Sequence, residues 1–95
     1  MTNEQQTMLH KIINSILNLG ASIGIVISNA DKQNVISYYD EKVNAENYEH
    51  VVTTLLKLKY VINRSNLGYV LSSMVNTARK HNIKKAESQK CLIRK

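Results

Sequence analysis

The chain has no proline, no tryptophan and no phenylalanine, and its 95 residues include one cysteine and three glycines. Each scarcity excludes something. Without proline, helices are not interrupted from within, and no prolyl isomerisation limits folding. Without phenylalanine or tryptophan the core must be aliphatic. The five aromatic residues are all tyrosines, whose hydroxyls want a partner and hold the rings at the margins of a core. Cys91 stands alone and cannot close an internal disulfide, which points to a reducing, cytoplasmic setting. His10, His50 and His81 show no i, i+3 or i, i+4 relation, so no metal site and no cofactor are expected.

The signatures of catalysis are missing too. There is no nucleophile elbow, and no pair of carboxylates is placed to share acid–base work. Gly20-Ala-Ser-Ile-Gly24 has the look of a glycine loop, but it lacks the Lys-Ser/Thr that follows a phosphate cradle. The expectation is a non-enzymatic protein. No secretory signal opens the sequence. The most apolar stretch, Ile12 to Ile27, is broken by Asn14, Ser15, Asn18 and Ser22 and is too short for a span of ~20 apolar residues. No membrane partner is expected.

Acid is the other scarcity, and it is confined to one half. Residues 1–56 hold six of the seven acidic side chains against Lys11, Lys32 and Lys42. Residues 57–95 hold ten cations against Glu87 alone, within an overall charge of +6. A chain that gathers its positive charge at one end presents that end to something negative.

Periodicity divides the chain into five elements. Thr2 and Gln5 form a capping-box pattern before a helix reaching Leu19, with Gly20 expected as its left-handed cap. The apolar residues of this helix, from Met8 to Leu19, cover half its circumference, enough for two neighbours. Ser22–Ser28, with Ile23, Ile25 and Ile27 alternating, and Val35–Tyr39 read as two strands around a polar loop, a β-hairpin. A second helix over about 44–62, with Asn44 or Asp40 as its cap, has an apolar stripe of Tyr48, Val51, Val52, Leu55, Leu58 and Ile62. A third, from about Asn66 to His81 or beyond, turns Leu67, Val70, Leu71, Met74, Val75 and Ala78 inward. Their short connection predicts an αα-hairpin or helix-turn-helix. The expected fold is α+β, three helices on a small antiparallel hairpin, with residues 1–83 as one domain. Residues 84–95 form a basic tail, partly disordered or a helical extension.

Candidate binding residues follow from charge. Arg79, Lys80, Lys84, Lys85, Lys90, Arg94 and Lys95 suit phosphates, whose neutralisation releases counterions. Tyr69, Asn76 and Arg64 are secondary candidates, on or beside the outward face of the last helix. The expected partner is DNA or RNA, held electrostatically. The rival expectation is a regulator or inhibitor, of the kind phages and plasmids encode, that binds an acidic or nucleic-acid-handling protein complex. A homodimer fits that role, through Ile13 and Leu17 on the wide apolar arc of the first helix or across the small-residue notch of Gly68 and Ser72.

Overall fold

Thr2 caps the first helix as its pattern predicts: its Oγ1 accepts from the Gln5 N–H at 3.1 Å, and Gln5 Oε1 accepts from the Thr2 N–H at 3.0 Å. A computed structural model describes residues 1–93, with side chains as far as Lys84. Four helices make up the fold: α1 over Asn3–Leu17, α2 over Asn29–Lys42, α3 over Tyr48–Val61 and α4 over Leu67–Ile93.

The expected α+β class is therefore corrected to all-α, since the described residues contain no strand. The error lies in residues 22–39. Ala21–Ile23 is a single 3-10 turn closed by Gly24 in the left-handed conformation at φ 87°. Ile25 and Ile27 alternate because one side of an irregular segment drops into the core. The polar run Asn29–Asn34 opens α2: Ser28 Oγ accepts from the Asp31 N–H at 3.2 Å, and Asp31 sits in the first turn, where the helix dipole favours an anion. Val35, Ile36, Tyr39 and Val43 then recur at helical spacing along the core side. Tertiary burial overrides the β propensity of these branched and aromatic residues.

Gly20 is also not the left-handed cap expected of it. Its φ is −84°, and Asn18 caps α1. Its small size serves a close approach instead. The Ile25 N–H donates to the Gly20 carbonyl at 2.8 Å, and a Cβ at Gly20 would lie 2.7 Å from the Cβ of Ile25. Gly68, within α4, has only Ile25 Cδ1 near, at 3.9 Å from where its Cβ would be. Opposite outcomes are expected from the same substitution. Gly20→Ala should lower stability by about 1–3 kcal/mol. Gly68→Ala should raise it by up to about 1 kcal/mol, and thermal melts of the two variants check both signs.

Two like turns join α2 to α3 and α3 to α4. Asn44 Oδ1 accepts from the N–H groups of Glu46 and Asn47 at 2.9 and 3.0 Å, while Asn47 Oδ1 accepts from the Asn44 N–H at 2.8 Å. Asn63 and Asn66 repeat this, with bonds of 2.8 and 3.1 Å to Asn63 and 2.8 Å to Asn66. In both, the second amide donates back to the last carbonyl of the preceding helix region, Asn47 to Lys42 at 2.9 Å and Asn66 to Val61 at 3.2 Å. An Asn-x-x-Asn pair thus satisfies one helix end and starts the next with a fixed reversal. Asn47→Ala and Asn66→Ala are each expected to cost about 1–2 kcal/mol in denaturant unfolding. Asn→Asp at either position keeps the acceptor but removes the Nδ2 donor, so it should fall between wild type and Ala.

The core draws Leu9, Ile12, Ile13, Ile16 and Leu17 from α1, Val35 and Ile36 from α2, Leu55 from α3, and Leu67, Leu71, Met74, Val75 and Ala78 from α4. The wide arc of α1 meets two neighbours, α2 and α3, and α2 packs in turn on α4. Although α3 and α4 are joined by a short turn, their main partners differ, α1 for the one and α2 for the other. Of the expected αα-hairpin or helix-turn-helix, the packed hairpin is not formed: two helices joined by a short turn rest on separate supports. That leaves the outward sides of α3 and α4 uncovered.

Candidate nucleic-acid interface

The side of α4 opposite its core stripe presents Tyr69, Ser72, Ser73, Asn76, Lys80 and Lys84, all exposed. Tyr69 is 79% exposed. From residue 57 to residue 86 the chain has no acidic side chain, so α4 sets no acid of its own among these groups between Tyr69 and Lys84. The helix runs for 27 residues, about 40 Å at 1.5 Å per residue, and continues past Ala78, its last buried apolar residue among those described.

Two basic groups of α4 are already engaged. Arg79 holds Asp31 in a two-pronged pair, Nε to Oδ1 at 3.0 Å and Nη2 to Oδ2 at 2.8 Å. His81 Nε2 lies 2.6 Å from Glu41 Oε2, and its ring meets Tyr38 edge-on at 5.3 Å. Asn82 Nδ2 donates to Asn34 Oδ1 at 3.1 Å. Asp31–Arg79, Asn34–Asn82 and Glu41–His81 all join α2 to α4. These contacts anchor α4 to α2 and take Arg79 out of the free cations. Lys80 and Lys84 make no ion pair among the described residues. Arg64, also exposed, stands in the turn before α4, about 24 Å from Lys80 along the axis.

The expected contact residues are thus only partly brought together. Tyr69, Asn76, Lys80 and Lys84 share a face, Arg64 lies beyond one end of it, and Arg79 is turned to Asp31. Lys85 and Lys90 lie on the backbone of α4, but their side chains fall outside the described residues, as do Arg94 and Lys95 altogether. The expected interface residues fare differently. Ile13 and Leu17 are sealed in the chain's own core at 0% and 1% exposure. Gly68 faces the Ile25 methyl, and Ser72 borders a shallow groove with Val26, Ile27 and Asp31. Sequence reasoning did not find Asp31 or Glu41, because partners some forty or more residues away leave no local signal.

A second groove, about 310 Å³, opens beside the same face between Tyr38, Tyr39, Leu58, Tyr69 and Met74. Burial, and then the neighbouring Tyr38, raises the Tyr39 hydroxyl above the usual tyrosine pKa. Lys42 Nζ stands 5.9 Å above the Tyr38 ring. Across α1, His10 Nε2 approaches Asp40 Oδ1 at 2.7 Å. Neither His pair belongs to a group of three or more ligands that could hold a metal among the described residues. No helix among the described residues is long and apolar enough to cross a membrane.

These features define an all-helical chain with a basic helix face that carries no acid of its own between Tyr69 and Lys84. No protein-family model matches the chain, and no curated protein or solved structure is significantly similar to it.

Proposed function

We propose that the protein is a non-enzymatic nucleic-acid-binding protein of the cytoplasm that meets phosphates through α4 and the cations that follow it. The observation that carries this is the exposed face from Tyr69 to Lys84. It has hydroxyl and amide groups at one end, lysines with no ion pair among the described residues at the other, and no acid of α4 between Tyr69 and Lys84. Lys80 and Lys84 lead into Lys85, Lys90, Arg94 and Lys95, six cations in the last sixteen residues. Hydroxyl and amide groups at Ser72, Ser73 and Asn76 suit phosphate oxygens and base edges, and Tyr69 offers an open ring on which an unpaired base can stack. Arg79 is left out of the contact set because Asp31 already satisfies its guanidinium.

Counterion release gives the reading a number. Each phosphate neutralised contributes about −0.9 to the slope of log affinity against log salt on duplex DNA. Neutralising four to six phosphates therefore predicts a slope of about −4 to −5. Fluorescence anisotropy with labelled duplex DNA, single-stranded DNA and RNA, from ~50 to ~200 mM salt, measures it directly. Absence of binding to all three probes at ~50 mM salt would overturn the proposal. A partner captured from cells that survives nuclease treatment would favour the protein-directed role instead.

A further inference from the structure

The outward side of α3 is also bare, and it is apolar at its centre. On α3, Leu56 is 49%, Tyr60 91% and Val61 60% exposed, forming with Thr53 and Lys57 a shallow, mostly apolar depression. The opposite side of the same helix, through Leu55 and its neighbours, already rests on α1. Glu49, Thr53, Leu56, Tyr60 and Asn63 follow one another at steps of four and three residues. That is the spacing by which one helix seats along another. A solitary exposed leucine needs no explanation, but Leu56 and Tyr60 at seam spacing with Val61 beside them do.

The charges flanking this seam say what covers it. Its N-terminal end carries Glu46 and Glu49, and its C-terminal end Lys59 and Arg64. All four are exposed, and none makes an ion pair among the described residues. Two copies of α3 laid antiparallel about a two-fold axis near Leu56 bring each acidic end against the other copy's basic end. The apolar centres then close on each other. A parallel arrangement would oppose like charges at both ends. We infer that the outward face of α3 binds a second copy of this chain, antiparallel, through Leu56, Tyr60 and Val61. This lies away from the Ile13–Leu17 and Gly68–Ser72 positions expected to form an interface. A face one helix wide and about 21 Å long is at the small end of specific interfaces, so the dimer is a weak, concentration-dependent one.

Sedimentation velocity of the full chain from about 5 to about 500 µM tests this, a range suited to micromolar association. The mass is expected to rise from 10.8 kDa towards twice that value. Leu56→Glu with Tyr60→Glu should remain monomeric throughout, with unchanged helical circular dichroism because both sites are exposed. Two further variants fix the orientation. Glu49→Lys, and separately Lys59→Glu with Arg64→Glu, should each be monomeric alone, while an equimolar mixture of the two should form a heterodimer. A wild-type chain monomeric at about 500 µM, a dimer indifferent to the Leu56 and Tyr60 changes, or a mixture that stays monomeric would each overturn the inference. None of these outcomes depends on nucleic-acid binding.

Discussion

Ile13→Ala is expected to lower the free energy of unfolding by about 2–5 kcal/mol, the range for emptying a fully enclosed aliphatic site. Ile13 has no exposed surface, and Leu9, Ile16 and Leu17 around the same arc of α1 are equally enclosed. A domain of this size has about 5–14 kcal/mol in total, so the variant should be close to losing its fold. The lack of any phenylalanine or tryptophan sharpens the effect, because an aliphatic core has few large side chains to slide into the gap. Chemical denaturation at several protein concentrations measures it. The loss should be the same at every concentration, since Ile13 packs within its own chain. A loss seen only where the protein self-associates would return Ile13 to an interface.

Ending the chain at Ile83 is expected to leave the fold intact and remove most of the affinity for nucleic acid. The truncation keeps every buried residue of α4 among those described, as well as the Asn34–Asn82 and Arg79–Asp31 bonds that tie the helix to α2. It removes Lys84, Lys85, Lys90, Arg94 and Lys95 together with Glu87, taking the net charge from +6 to +2. With most of the cations proposed to meet phosphates removed, affinity near 100 mM salt should fall about tenfold to a thousandfold, and the salt slope should flatten by several units. Adding Lys80→Glu should abolish what remains. A melting temperature within a few degrees of wild type, measured alongside, separates weakened binding from a damaged fold.

Where the structure agrees with the sequence, a strong local pattern carries the agreement. The reciprocal bonds of Thr2 and Gln5, the stripe of α3 and the inward face of α4 each rest on spacing that a helix alone explains. Residues 22–39 misled because two cues competed. Alternating isoleucines and a branched, aromatic run speak for strands, whereas Ser28-x-x-Asp31 is a helix-start signal in the middle of what looks like a turn. Once Ser28 caps α2, the polar run becomes two helical turns and no strand partner is left for Ile23–Ile27. The paired asparagines were legible in principle. Val43-Asn44-x-x-Asn47 and Ile62-Asn63-x-x-Asn66 recur nineteen residues apart, but the repeat is too short to stand out against a composition rich in asparagine.

The site was legible in sign but not in membership. Charge asymmetry located the basic end, because acids and bases can be counted without a fold. It could not show that Arg79 belongs to Asp31, or that Arg64 stands at the far end of α4. Nor could it show that the apolar surface left for a partner belongs to α3, because Leu56, Tyr60 and Val61 flank the inward stripe and only the packing of α1 decides which side is covered.

The central claim is that the open face of α4 and the cations after it meet phosphates. A residue-resolved titration of the full chain with a short oligonucleotide, followed through backbone amide resonances at low salt, tests it most directly. Shifts concentrated on Ser72, Ser73, Asn76, Lys80, Lys84 and the residues that follow, fading as salt is raised, are the predicted result. Shifts confined to α1, α2 and α3, or none at all, would contradict it.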